Sequence, residues 1–345
     1  MDSNAPRWSG DVHQADWIAS RLASWEDEVT ITIVVPAGFE AYARVLHPAE
    51  SPDNGDRLVR WADVARWSGM PLRNDAQFHS IALPPTDPGG PPPYGSQGPL
   101  EGTLYRPDAE VLAAIARDWT ATPEDCFFCV WDGYGWDAAS TFAVLTRTGQ
   151  SPEVIEEQRP DPVPGAVRDG PRVHLPNRDY FLYAGPAEAV VAVASLDGTS
   201  GQIPNIWWPA DRAWCVASEL DLEWTYVGGP RGLIDAILAD DRIEALPAAA
   251  NDPVGHIEDW VTAWADQLAD GLMARGTASL STPRGSVEAW LRRPHGLRQG
   301  QLRIEVEGHG GYGGSSRQGL RGDDEALRRE VHDYLTIAVL DLTGM

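Results

Sequence analysis

Several groups of residues have types and spacings that could do chemistry. Cys126-Phe127-Phe128-Cys129 has the C-x-x-C spacing of redox and zinc motifs. A redox pair needs a strand-to-helix turn, where a helix N-terminus lowers a thiol pKa. These cysteines instead lie inside an apolar run. Positions i and i+3 of a strand face opposite ways, which opposes shared metal ligation. They read as core cysteines. Gly308-His309-Gly310-Gly311-Tyr312-Gly313 matches G-x-G-x-x-G. A dinucleotide fold also needs a helix opening at the third glycine and a second parallel strand, and the chain supplies neither. Glu219, Asp221 and Glu223 alternate, so on a strand they project from one face, expected to be solvated. The eight histidines are scattered without metal spacing, and neither G-x-S-x-G nor H-E-x-x-H occurs. No metal site and no cofactor are expected.

Two aromatic clusters stand above this background. Trp131-Asp132-Gly133-Tyr134-Gly135-Trp136 places three large rings in a glycine-rich turn. Asn205-Ile206-Trp207-Trp208-Pro209-Ala210-Asp211-Arg212 places two adjacent rings before a Pro/Asp turn. Trp, Tyr and Arg supply most hot-spot binding energy. The candidate binding residues are therefore Trp131, Asp132, Tyr134, Trp136, Trp207, Trp208, Asp211 and Arg212. The competing expectation is that these rings cap a core at strand ends.

The elements that must position them follow from periodicity. Residues 11–25, 59–67, 108–119, 233–238 and 257–272 read as helices. Residues 29–35 are β-branched and read as a strand, with Pro36-Ala37-Gly38 turning into a second arm at 39–46. Further strands are expected at 126–131, 180–183, 190–194, 213–217, 223–227, 277–282, 286–292 and 301–307. Pro-rich stretches at 84–99 and 151–172 read as long connections, and 247–253 as a linker. Gly308–Gly322 reads as a loop before a final helix whose first turn carries Asp323, Asp324 and Glu325.

Composition sets the outer limits. The 345 residues carry 51 acids and 27 basic residues, a formal charge of −24, and every basic residue is arginine. With no lysine there is no Schiff-base lysine, P-loop lysine or Ser-Lys dyad. Such acidity argues against nucleic acid and anionic membranes as partners. It leaves a basic protein partner as the expectation. The absence of lysine itself reads as coding bias of a high-GC genome. Three cysteines make no disulfide framework, and Met1–Pro6 lack a signal-peptide pattern, so a cytoplasmic protein is expected. Charge is uneven: residues 1–254 sum to −21 and residues 255–345 to −3.

The segment Asn205 to Leu238 resembles conserved actinobacterial proteins of unknown function. The resemblance rests on the run from Trp207 to Ala217 and on Trp224-Thr225-Tyr226-Val227-Gly228-Gly229. It implies no activity. Residues 255–345 are similar, in element order and in two amphipathic helices, to small domains of the type III secretion chaperone-like class.

Together these readings predict an α+β protein. A larger mixed domain with antiparallel strands spans 1–250, and a smaller α-β-β-(β)-α domain spans 255–345. The expected function is non-enzymatic protein binding, as a chaperone-like or immunity-like adaptor. It would use an acidic surface and Trp-rich loops. The alternative is a hydrolase or small-ligand (possibly sugar) enzyme. Its carboxylates would be Asp132, Asp211 or Glu219, between the Trp131–Trp136 and Trp207–Arg212 loops.

Overall fold

A computed structural model describes residues 5–23, 30–52, 58–82, 90–95, 98–134, 141–146, 153–158, 163–176, 178–194, 196, 202–254, 259–282, 285–292, 299–308, 313–321, 328, 331–332 and 334–335. The architecture is α+β with antiparallel sheets. The chain divides into two compact units. One holds residues 1–63, 73–75 and 93–255; the other holds 64–72, 76–92 and 256–345.

The first unit is built on a nine-stranded sheet. Its order is Arg7–Trp8, Arg178–Gly185, Cys126–Trp131, Ile206–Pro209, Cys215–Ser218, Trp224–Gly229, Ala41–Leu46 and Ala245–Ala248. Val173–Leu175 also pairs with Arg178–Gly185. The strand Cys126–Trp131 is apolar along its length and Trp224–Gly229 is buried throughout, because both faces are covered.

One face carries Val45, Phe128, Phe181, Trp207, Val216 and Val227. Helices Arg106–Arg117 and Arg231–Ala239 and the short helix Val190–Val193 close over it. The helix at 106–117 forms because Ala109, Leu112, Ala113 and Ala116 repeat at helical spacing and are all buried. Pro107 opens it, and Asp108 and Arg117 sit where the helix dipole favours each charge. The opposite face carries Trp208, Trp224 and Tyr226, with Trp17 edge-on to Trp208 at 6.2 Å.

In the second unit, four strands form an antiparallel meander: Thr277–Thr282, Gly285–Arg292, Gln299–Gly308 and Gly313–Arg321. Leu280, Val287, Ala289, Leu291, Leu302 and Ile304 share a core with Ala265, Leu268, Ala269 and Leu272 of helix Asp259–Arg275. Val331 and Leu335, in the helical segment near the C-terminus, join that core.

Several expectations are corrected. Residues 31–33 form a 3₁₀ turn and not a strand, so there is no hairpin at 36–38. The arm Ala41–Leu46 pairs instead with Trp224–Gly229 and Ala245–Ala248. Ile31, Ile33, Val34 and Val35 are all buried, and that burial outweighs β-propensity. Val190–Val193 is helical for the same reason, packed on the 106–117 helix. The helix expected at 11–25 is a 3₁₀ turn and one α-turn ending at Ala19. Ala245–Ala248, placed partly in a linker, is an edge strand that tolerates Pro247. The expected connection at 151–172 contains the strand Glu153–Gln158, paired with Thr141–Thr146, and the helix Gly165–Arg168. The expected loop at 308–322 contains the strand Gly313–Arg321. Its Gly/Ser composition hides a ladder that pairing with 299–308 supplies. Gly308 and Gly313 thus end and begin antiparallel strands, which is incompatible with a dinucleotide turn.

Candidate functional site

The first aromatic cluster begins where the 126–131 strand ends. The Trp131 backbone N–H donates to Asn205 Oδ1 at 3.0 Å, and the Arg178 guanidinium lies 5.2 Å from its ring centre. Asp132 opens a 3₁₀ turn that ends at Tyr134, and it pairs with Arg172 Nε at 3.4 Å. Arg172 in turn lies 3.8 Å over the Phe181 ring. Trp136 lies outside the described residues.

The second cluster is corrected from loop to sheet. Trp207 and Trp208 lie in the strand Ile206–Pro209, each 1% exposed. Successive strand residues face opposite ways. Trp207 meets Trp214 edge-on at 5.2 Å in the helix-covered core. Trp208 stacks on Phe127 at 5.7 Å on the other side. The turn after the strand is pinned by Asp211. It accepts from the Thr120 hydroxyl at 2.8 Å and from the Ala121 and Ala213 N–H groups at 2.7 and 3.1 Å. Arg212 adopts φ +59° there, its guanidinium 5.8 Å from the Trp17 ring.

The structure places Trp131 on the face of Trp208, since Phe127 pairs with Trp208 and shares the parity of Trp131. Four residues of extended chain separate them, about 13 Å. The rings of the second cluster are spent on the core.

The three alternating acids do not ride a strand. Residues 219–223 turn between Cys215–Ser218 and Trp224–Gly229. Glu219 is nearly buried and pairs with Arg178 Nη2 at 2.6 Å, while exposed Asp221 lies 3.7 Å from the same nitrogen. A narrow cleft bounded by Tyr180, Ile206, Ser218 and Glu219 has room for about one water. Burial raises Glu223 to about 7, helped by the nearby Glu101 charge and opposed by Arg44.

Sequence reasoning missed His47, which is fully buried. Its Nδ1 sits 2.6 Å from the Leu100 carbonyl, which can only accept, so Nδ1 carries the proton. Its Nε2 therefore accepts from the Thr225 hydroxyl at 2.8 Å, and Thr225 accepts from Ser218 at 2.7 Å. Burial, aided by the Arg44 charge and opposed by the hydrogen bond to Leu100, lowers the imidazole to about 4. The loop reaches His47 because Gly102, at φ +74°, lies where a Cβ would come within 2.6 Å of the Leu220 carbonyl oxygen. Nothing in the spacing of His47, Ser218 and Thr225 could have announced this cluster, because strand pairing alone joins them.

On the other side of the sheet, buried Arg44 lies 3.8 Å over Trp224 and 5.5 Å from Trp61. Desolvation pulls its guanidinium down to about 10. The cysteines are buried and free, and burial pushes their thiols up, Cys126 to about 12. They lack the electropositive, accessible setting of reactive thiols.

An acidic corner lies past the end of the 106–117 helix. Asp118, Glu124, Asp125 and Asp211 are exposed there, and Glu188 is half-buried. The fields of Asp211, Glu188, Asp125 and Glu124 all reach Cys126. Arg117 binds Glu188 and reaches Glu124 at 3.5 Å. Trp119 follows Asp118 at the end of that helix and is 37% exposed. Its ring rests on Gly232, where a Cβ would lie 2.2 Å from the indole.

Among the described residues, no group of three or more His, Cys, Asp or Glu could hold a metal ion. No described helix is long and apolar enough to cross a membrane. No protein-family model, curated protein or solved structure matches the chain.

Proposed function

We propose that the protein is a cytoplasmic, non-enzymatic adaptor of chaperone-like or immunity-like kind that binds a basic protein. The observation that carries this reading is the charge asymmetry, −21 over residues 1–254 against −3 over the rest. In the acidic corner, Arg117 pairs with Glu124 and Glu188, and Asp118, Asp125 and Asp211 add three exposed carboxylates. Such unbalanced charge costs stability through self-repulsion and attracts cations over about a Debye length. A basic partner would relieve the repulsion and be steered onto the surface.

The test is capture from lysate of the native host at low and high salt. A specific basic partner should be retained at about 50 mM salt and lost by about 500 mM, where screening shortens the Debye length several-fold. Capture of no specific partner at low salt would remove the reading.

A further inference from the structure

We propose that Trp119 is the seat for a cationic side chain of that partner, an arginine or lysine stacked on its exposed indole. The inference rests on the acidic-surface reading and gives it a position.

Several tryptophans of this chain already carry a cation. Trp17, Trp61, Trp131, Trp224 and Trp290 each have a guanidinium within 6 Å of the ring centre. That is the range in which a cation is attracted to the ring quadrupole. Among the described residues, no guanidinium and no aromatic ring is placed on Trp119. The nearby arginines are engaged elsewhere, Arg117 with Glu188, Arg231 with Glu40 and Arg212 over Trp17. Gly232 supports the ring from the protein side, so the ring is held in place while part of it meets solvent.

Charge complementarity selects the occupant. Asp118 adjoins Trp119 in sequence, Asp211 holds the Thr120 hydroxyl and the Ala121 N–H just beyond it, and exposed Asp235 lies one turn from Gly232 on its helix. An apolar or anionic side chain gains nothing from that field. A guanidinium gains from both the ring and the carboxylates, and a single aromatic anchor inside a polar rim is the usual layout of a hot spot.

The experiment uses the full chain and three acetylated nonapeptides, rich in arginine, in lysine, or in citrulline as the neutral isostere of arginine. Binding is measured by calorimetry. The indole N–H resonance of Trp119, assigned with Trp119→Phe, reports contact at the ring. The cationic peptides should bind and move that resonance, and the citrulline peptide should do neither. Trp119→Leu should weaken arginine-peptide binding on the order of fivefold. Binding that leaves the Trp119 resonance in place and survives Trp119→Leu overturns the seat and leaves the acidic-surface reading standing. No binding by either cationic peptide overturns both.

Discussion

His47 Nε2 lies 2.8 Å from Thr225 Oγ1 across 178 residues of sequence. This contact ties the residue after one central strand to its neighbouring strand and, through Leu100, to the loop beneath. Its folded pKa of about 4 lies below the ordinary value of 6.5. The contribution of this group is therefore complete above about pH 6.5 and is lost as pH falls through about 4. The full linkage is on the order of 3 kcal/mol. His47→Ala should cost about 2–4 kcal/mol at pH 7 by leaving Thr225 and Leu100 without their partner. It should also flatten the acid limb of stability. Urea unfolding at a series of pH values checks both, and an unchanged acid slope would sink the account.

Glu223 acts in the opposite sense. Its folded pKa of about 7 exceeds the ordinary 4.5, so the folded state holds the extra proton between those values. The group is a cost above about pH 7 that disappears as pH falls toward 4.5. Glu223→Gln should stabilise the protein by about 1–3 kcal/mol at pH 8 and change little at pH 4.5. Thermal melts at the two pH values decide it.

Glu244 caps a helix from a distance. It accepts the Trp61 and Ala62 N–H groups at 2.7 and 2.8 Å, the first free donors of helix Trp61–Ser68. Glu244→Ala should cost about 1–3 kcal/mol, and Glu244→Gln should recover part of it because one acceptor oxygen remains. Comparing the two denaturation midpoints tests the role.

Gly232 inverts the usual helix rule. In an ordinary helix interior, Gly→Ala gains about 1 kcal/mol. Here the added carbon would sit 2.2 Å from the far edge of the Trp119 ring, so the ring must shift outward and Gly232→Ala should lose that gain. Adding Trp119→Ala should recover most of that loss. Additive losses in the double-mutant cycle would mean that the two residues do not meet.

Trp207 separates core from surface. Trp207→Ala should cost about 3–5 kcal/mol, the range for a fully buried large ring. Loss of stability under about 1 kcal/mol would contradict its place in the core.

The α+β class, the helices at 106–117, 231–239 and 259–275 and most strands were legible because their apolar spacing is local. Cys126 and Cys129 read as core because two cysteines inside a buried strand have no helix end to activate them. Ile31–Ile33 and Val190–Val193 are helical turns despite their β-branched runs, since the tertiary packing of Ile31, Ile33, Val190 and Val193 outweighs propensity. Gly313–Arg321 was misread because ladder pairing, which composition does not encode, makes it a strand.

The candidate site divides the same way. By itself the sequence determined the excess of carboxylates, its concentration in residues 1–254 and the absence of lysine, because charge is counted without geometry. Only the tertiary structure decided which rings meet solvent. It buried Trp207 and Trp208 on opposite faces of a sheet covered on both sides, and it left Trp119 part-exposed past the end of the 106–117 helix. It also assembled His47, Thr225 and Ser218 from three strand ends. Exposure and long-range contact depend on what the rest of the chain packs against, and no local pattern carries that information.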